Sequence, residues 1–180
     1  MAKIIYKEGC EGQNRLECIE GIEISLLNGQ KALIYPKYDN KALLEDESRR
    51  KWKADTVTEI EALKLKDNVA ATAGLAKAGS PAALFATGFS SERFGNFSLP
   101  TLLAALEITA QKSEIDKLAR GIDGADLLEG YSSNVWSCSR CSQVYGWFAY
   151  SNYSYAGGYG LYDRYVAVPL VLLNVAGGAA

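Results

Sequence analysis

One stretch of the sequence, from Tyr131 to Val168, limits most strongly what the chain can fold into. It is crowded with tyrosine, tryptophan and phenylalanine, and the residues between these rings are mostly serine, glycine, asparagine and alanine. A packed core favours leucine, isoleucine and valine instead. Rigid amphipathic tyrosine set among small polar residues is typical of a surface that binds another protein. We therefore expect this stretch to carry the function and the rest of the chain to support it.

The overall composition is that of a globular protein, with 180 residues, 48% hydrophobic and 22% charged. We expect a single domain over residues 1–180, with a ligand-binding β segment at 131–173. A net charge of −2 argues against a nucleic-acid partner, and the absence of an apolar run of about 20 residues argues against membrane insertion. The N-terminus lacks the apolar region of a signal peptide, so export by another route or within a larger particle stays open, with a cytoplasmic location otherwise.

The sequence contains no histidine. This removes the commonest general base and the commonest metal ligand together, and it excludes a Ser-His-Asp or Cys-His arrangement within the chain. We therefore expect no catalytic residues, no metal and no cofactor, and a protein that is not an enzyme.

Four cysteines occur, at positions 10, 18, 138 and 141. The Cys138-x-x-Cys141 spacing alone could indicate a redox motif or half a zinc site. The other pair has seven residues between its members, which is not a zinc-knuckle spacing. Free thiols, or one opportunistic disulfide, are the favoured interpretation, and a paired-cysteine oxidase or a metal site is the weaker alternative.

The first part of the chain predicts a β-hairpin. Lys3–Tyr6 resembles a short strand, and apolar and polar residues alternate over Ile22–Leu26, as in a half-buried strand. Asn28-Gly29 is a strong signal for a two-residue turn. Lys31–Tyr35 is then the partner strand, which Pro36 ends. Residues 37–50 are polar and predict a solvated loop or a frayed helix.

The middle of the chain predicts helices. A capping box at Thr56–Glu59 starts a helix to about Leu65, and Asn68–Ala78 forms the next, with Val69, Ala73 and Ala76 on its inner face. Ser80-Pro81 opens a short helix over Pro81–Thr87 that presents Leu84 and Phe85 to the core. Two further helices, Pro100–Gln111 and one from Ser113 to about Arg120, precede a turn at Gly121–Gly124. Short strands follow, and Val166–Val171 closes the fold as one strand around Pro169. The class is α+β, with an N-terminal hairpin, a helical middle and an irregular C-terminal β segment.

The order of several motifs is similar to a bacterial and phage domain with the C-type-lectin fold, the Lcl-C-terminal-like family. Leu99–Leu103, the helix at Glu114–Ala119 and the turn Gly121–Gly124 resemble the family's LPT, helix and IGG half. Trp136–Cys141 resembles its WSS-x-E-Y segment, and Tyr165–Leu170 resembles its closing Y-V-R-P-V strand.

Trp147 stands where the family has a core aromatic. Cys138, Cys141, Arg140 and Val168 depart from the residues that are usual there.

This resemblance implies a variable protein of a diversity-generating retroelement. In such proteins a C-terminal segment is rewritten by reverse transcription that mutates adenines, which yields mixtures of Tyr, Ser, Gly, Asp, Cys and Arg like that of residues 140–164. It also implies a C-type-lectin-like fold, a protein or cell-surface receptor as ligand, and a place on a phage tail or a bacterial surface. A homo-oligomer or a docking partner on the virion stays open.

The predicted binding residues lie in the diversified part of the stretch. They are Arg140, Cys141, Gln143, Tyr145, Tyr150, Asn152, Tyr153, Tyr155, Tyr159, Tyr162, Asp163 and Arg164. The predicted scaffold residues are Trp136, Trp147 and Pro169. Strand alternation over residues 144–150 places Tyr145, Trp147 and Ala149 on one face and Gly146, Phe148 and Tyr150 on the other.

Two other interpretations of the stretch stay open. It could be a structural β region stabilised by aromatic cross-strand pairs. The chain could also be a phage tail or surface structural protein without a diversified site. A calcium-dependent sugar site is disfavoured because the segment offers only Asp163, Asn134, Asn152 and Gln143 as ligands.

Overall fold

The computed structural model describes residues 2–44, 57–130, 134–142, 145–150, 156–160 and 163–173. Strands come first, helices follow and strands close the chain, so the predicted α+β class is confirmed. The strands are β1 (Lys3–Tyr6), β2 (Ile19–Ser25), β3 (Lys31–Ile34), β4 (Asp39–Ala42), β5 (Ser90–Ser91), β6 (Gly95–Asn96), β7 (Asn134–Arg140), β8 (Tyr145–Tyr150), β9 (Ala156–Gly160), β10 (Tyr165–Ala167) and β11 (Leu170–Leu173). The helices are α1 (Glu59–Lys64), α2 (Val69–Lys77), α3 (Pro81–Thr87), α4 (Leu102–Ala110) and α5 (Lys112–Ala119). Among the described residues, no helix has the length and apolar character needed to cross a membrane.

Two main sheets organise these strands. The four-stranded sheet has the order β1-β2-β3-β11, and the five-stranded sheet has the order β4-β10-β7-β8-β9. β11 pairs with β3 from Leu170 opposite Ile34 to Leu173 opposite Lys31. The last described strand therefore returns to the N-terminal hairpin. Strands β5 and β6 form a small separate ribbon between α3 and α4.

The β2–β3 hairpin confirms the strand prediction, but its turn differs. The Leu26 N–H donates to the Gln30 carbonyl at 2.8 Å, and the Gly29 N–H donates to the Leu26 carbonyl at 3.0 Å. The loop thus has three residues, ending at Gly29 with a φ of 82°. Only glycine adopts this left-handed conformation without cost, so the Asn28-Gly29 signal locates the turn correctly but not its length.

The polar segment after Pro36 is not simply a loop, because it contains β4. Ala42 pairs with Tyr165, and Asp39 pairs with Ala167. A polar strand at the edge of a sheet has no strong local pattern, and its partner lies far along the sequence, so local reasoning missed it. The charged residues 45–50 lie outside the described residues.

The capping box of α1 lies two residues later than predicted. The Thr58 hydroxyl accepts from the Glu61 N–H at 3.3 Å, and the Glu61 carboxylate accepts from the Thr58 N–H at 2.7 Å. The sequence Thr-Val-Thr-Glu-Ile-Glu contains the same motif twice, and local pattern alone does not choose between them. The predicted Thr56 cap lies outside the described residues.

The predicted inner faces of the next two helices are confirmed for Ala76 and Phe85, which pack partly buried against the core, and are wrong for the other predicted residues. In α2, Thr72 and Leu75 are buried, whereas Val69 is 53% exposed. In α3, which begins at Pro81 as predicted, alanines pack inward and Leu84 is 52% exposed. Small residues let α3 approach β4 and β10 closely, which a prediction based on side-chain size alone does not anticipate.

Helix α4 packs on β7 and β8 and joins the two sheets. Its Ala104 and Ile108 share one buried core with Ile24 of the four-stranded sheet and with Val135 and Ala149 of the five-stranded sheet. A second core lies against α2 and α3 and contains Trp136, Phe148 and Tyr165 from β7, β8 and β10. The middle of the five-stranded sheet is therefore covered on both faces.

The predicted closing strand is in fact two strands in different sheets. β10 belongs to the five-stranded sheet, and β11 belongs to the four-stranded sheet. Pro169 lies between them, buried, and its carbonyl accepts from the Tyr35 N–H at 3.1 Å. A proline has no N–H to give to a ladder, so the chain changes sheet at this point.

Candidate recognition surface

Two tryptophans fix the β7–β8 hairpin to the rest of the molecule. The Trp136 indole N–H donates to the Ala42 carbonyl at 2.9 Å, and the ring is fully buried. The Trp147 indole N–H donates to the Val57 carbonyl, also at 2.9 Å, and this ring is half-buried. Trp136 thus lies in the core, whereas Trp147 lies at the border between core and surface.

Alternation along β8 separates two sets of side chains. Phe148 is fully buried, and the Tyr150 ring packs on it with centroids 4.6 Å apart and an interplanar angle of 60°. Tyr150 is therefore half-buried against the core and not a free binding residue. Tyr145 begins the strand and is 48% exposed.

Glycines in β9 allow side chains from neighbouring segments to approach its backbone. A Cβ atom at Gly158 would lie 2.6 Å from the Cys141 sulfur, and one at Gly160 would lie 2.7 Å from the Asp163 carboxylate. Both distances are too short for real contacts, so larger residues would displace their neighbours. Gly158 and Gly160 therefore have a packing role in β9.

These contacts bring five residues together at one end of the sheet. We call them the β8–β9 patch: Cys141, Tyr145, Gly158, Gly160 and Asp163. Tyr145 pairs with Gly160 across the two strands, and a Cβ at Gly158 would lie 4.0 Å from the Tyr145 Cβ. Burial raises the pKa of the Cys141 thiol, while a backbone hydrogen bond and Arg140 act in the opposite direction.

The backbone of Tyr145 is held by the turn that precedes it. Its carbonyl accepts from the N–H groups of Cys141 and Ser142 at 3.0 and 3.2 Å. Its own N–H donates to the Ser142 hydroxyl at 3.0 Å. An exposed aromatic ring therefore stands on a fixed backbone, which lowers the entropic cost of using that ring in binding. Ser142 was not among the predicted residues, although a serine before a strand is a common turn signal.

Arg140 does not lie on an exposed face, so the exposure expected of this predicted binding residue is wrong. It is only 2% exposed at the end of β7. Its carbonyl accepts from the Val57 N–H at 2.9 Å, so the chain entering α1 lies along this end of the strand. A segment more than eighty positions earlier in the sequence therefore covers a residue that local composition placed on the surface.

The other predicted binding residues are placed only in part. Asp163 is half-buried and Arg164 is exposed, directly before β10. Tyr159 belongs to β9, where it pairs with Gly146. The remaining predicted residues lie outside the described part of the chain: Gln143, Asn152, Tyr153, Tyr155 and Tyr162.

Comparisons with protein-family models, curated proteins and solved structures found no match.

The thiols near the patch differ in reactivity. All four cysteines are free. Cys138 is buried in the aromatic core, and burial raises its pKa to about 12, although hydrogen bonding by Ser139 acts in the opposite direction. A neutral, enclosed thiol is a poor nucleophile and a poor metal ligand. No group of three or more His, Cys, Asp or Glu side chains in the described ranges could hold a metal ion.

A separate depression of about 290 Å³ lies beside α5. Three of its charged lining residues contact one another or the following turn: Arg120 forms an ion pair with Glu129, and the Asp116 carboxylate accepts from the N–H groups of Leu128 and Glu129. These contacts explain the depression as the junction of α5 with the following turn. Sequence reasoning did not single out any of these residues.

Proposed function

We propose that this chain is a non-catalytic binding protein that recognises a protein or cell-surface receptor through the β8–β9 patch. The observation that carries the proposal is Tyr145, which is 48% exposed on a backbone fixed by the Ser142 turn. Tyrosine offers a large contact area with few rotatable bonds and a hydroxyl that tolerates water or a partner. A tyrosine whose backbone is already held in place has less freedom to lose when it binds.

The support for a C-type-lectin-like fold is the order and connection of the elements. A hairpin, a set of helices and a β segment follow one another, and β11 returns to pair with β3 of the hairpin. The motifs at Leu99–Leu103 and Trp136–Cys141 lie at the start of α4 and in β7, where the family resemblance expects a helix and a strand.

We further propose that the ligand contacts have been diversified by a retroelement, on a phage tail or a bacterial surface. Support comes from the composition of residues 140–164 and from the division of labour in β7 and β8. Trp136 and Phe148 are buried and aromatic, while Tyr145 and Cys141 face outward or lie near the surface. A fixed core beside a replaceable surface is what such rewriting requires.

The binding proposal is tested with a fluorescently labelled chain and a panel of intact bacterial strains, read by flow cytometry. Tyr145→Ala is compared with Leu84→Ala, a matched control because Leu84 is similarly exposed, at 52%, but lies on α3. We expect the tyrosine variant to lose about tenfold or more in affinity, as for an interface anchor, and the leucine variant to bind normally. Circular dichroism should show both variants folded. Equal binding by the two variants would refute a role for the patch.

The retroelement proposal has a separate test in the surrounding DNA. We expect a reverse transcriptase gene and a template repeat that matches the coding sequence of residues 140–164 except at adenines. Without that repeat, a structural protein of a phage tail or surface becomes the better interpretation, whether or not the patch binds.

A further inference from the structure

Two cysteines in the loop between β1 and β2 lie side by side. The Lys7 N–H donates to the Cys18 carbonyl at 3.0 Å, which extends the β1–β2 ladder by one bond. The Cys10 N–H donates to the Lys7 carbonyl at 3.1 Å, so a tight turn brings Cys10 back toward Cys18. The Gln13 N–H donates to the Cys10 carbonyl at 3.0 Å, so the turn that carries Cys10 ends at Gln13, whose side chain contacts the Cys18 thiol. The neighbouring Cys18 thiol raises the pKa of Cys10.

The surroundings of the two sulfurs are polar and differ in access. Cys18 is 4% exposed, whereas Cys10 is half-buried. The Cys18 thiol donates to the Gln13 amide oxygen at 3.5 Å, and an Arg15 guanidinium nitrogen lies 3.8 Å from the Cys18 sulfur.

We propose that Cys10 and Cys18 form a reversible dithiol–disulfide site whose oxidant is a small disulfide such as oxidised glutathione. The Cys10 thiolate attacks one sulfur of the glutathione disulfide, forms a mixed disulfide and releases one glutathione thiol. The Cys18 thiolate then attacks the Cys10 sulfur, forms the internal disulfide and releases the second glutathione thiol. The two protons lost by the cysteines are carried by the two released thiols, and excess reduced glutathione reverses both steps.

The segment that joins the two cysteines is fixed against the turn after α5. The Asp123 N–H donates to the Asn14 carbonyl at 2.7 Å, and the Leu16 N–H donates to the Asp123 carbonyl at 2.9 Å. The Tyr6 hydroxyl also donates to the Asn14 amide oxygen at 2.7 Å. Both cysteines are therefore held close together before any oxidation occurs.

The Cys138-x-x-Cys141 pair is the more familiar redox spacing, but it is the less reactive pair here. Cys138 is enclosed with Trp136 and Phe148, whereas the Cys141 sulfur lies against the backbone of Gly158. This second pair provides an internal control within the same chain.

The test uses the reduced full-length chain, equilibrated in glutathione buffers of graded oxidised-to-reduced ratio and then alkylated. Trypsin cleaves after Arg15, so an internal bond would link peptide 8–15 to peptide 16–31 with the loss of two hydrogen atoms. We expect that linked pair, with Cys138 and Cys141 fully alkylated. Because Cys10 is only half-buried, Cys10→Ser should keep the fold intact, and it should abolish the link. Cys141→Ser should leave the link unchanged. A stable glutathione adduct on Cys10 without the link, unmodified thiols at every ratio, or a Cys138–Cys141 bond instead would each overturn the proposal.

Discussion

Replacing Trp136 with phenylalanine should destabilise the fold strongly, because the ring is fully buried and makes one directional bond. The indole packs at 4.8 Å from the Tyr165 ring and at 6.2 Å, edge to face, from the Phe148 ring. Its N–H is the partner of the Ala42 carbonyl in β4. Phenylalanine keeps part of the aromatic contact but removes the pyrrole part of the ring and the donor.

The magnitude follows from these two losses. The removed ring atoms contribute about 2 kcal/mol of buried apolar contact. The Ala42 carbonyl, left without its partner, costs about 1–3 kcal/mol more. We therefore expect Trp136→Phe to lower the free energy of unfolding by roughly 3–5 kcal/mol, a large part of the stability of an ordinary domain.

Trp147→Phe is the matched control for this experiment. Its indole N–H also donates to a backbone carbonyl at 2.9 Å, but the ring is half-buried. Water can therefore donate to that carbonyl in place of the missing indole. We expect a cost of about 1 kcal/mol, in line with a single hydrogen bond at a wet site. Urea unfolding followed by far-ultraviolet circular dichroism measures both. Equal losses in the two variants would refute the assignment of Trp136, and not Trp147, to the core.

Two further predictions concern β9 and the start of α1. Gly158→Ala should cost about 1–3 kcal/mol in urea unfolding, because its Cβ would lie 2.6 Å from the Cys141 sulfur. Adding Cys141→Ala should restore most of that loss, and no recovery would contradict the contact. The Thr58 backbone N–H, and to a smaller extent the Thr58 hydroxyl, lower the pKa of Glu61. The contribution of Glu61 to the free energy of unfolding is therefore fully present above the ordinary carboxyl pKa of 4.5, and it is lost as the pH falls through the lowered value. The unfolding midpoints of the native chain and Glu61→Ala should therefore differ at neutral pH and converge in acid, and a gap that stays constant with pH would contradict the capping contact.

Local signals predicted the parts of the fold whose cause is local. The alternation at Ile22–Leu26 located β2, and Ser80-Pro81 located the start of α3, where the Ser80 hydroxyl accepts from the Ala83 N–H at 3.2 Å. The Thr58 capping box was found within two residues. In each case the chemistry involves residues no more than a few positions apart.

The candidate site was predictable only in outline. Its composition predicted an exposed Tyr145, but it did not predict the burial of Arg140 or the packing of Tyr150 on Phe148. The segment at Val57 lies against Arg140, and no sequence pattern near Arg140 predicts this contact. Receptor binding and retroelement origin stay predictions.

The sequence by itself determined the α+β class, the N-terminal hairpin, the helix starts and the absence of histidine chemistry, because turns, caps and residue types act over short distances. The tertiary structure alone decided that β4 joins β10 and that Pro169 divides the closing strand between two sheets. These outcomes depend on contacts between distant segments. Such contacts are fixed by how well whole surfaces pack, which no short window of sequence contains.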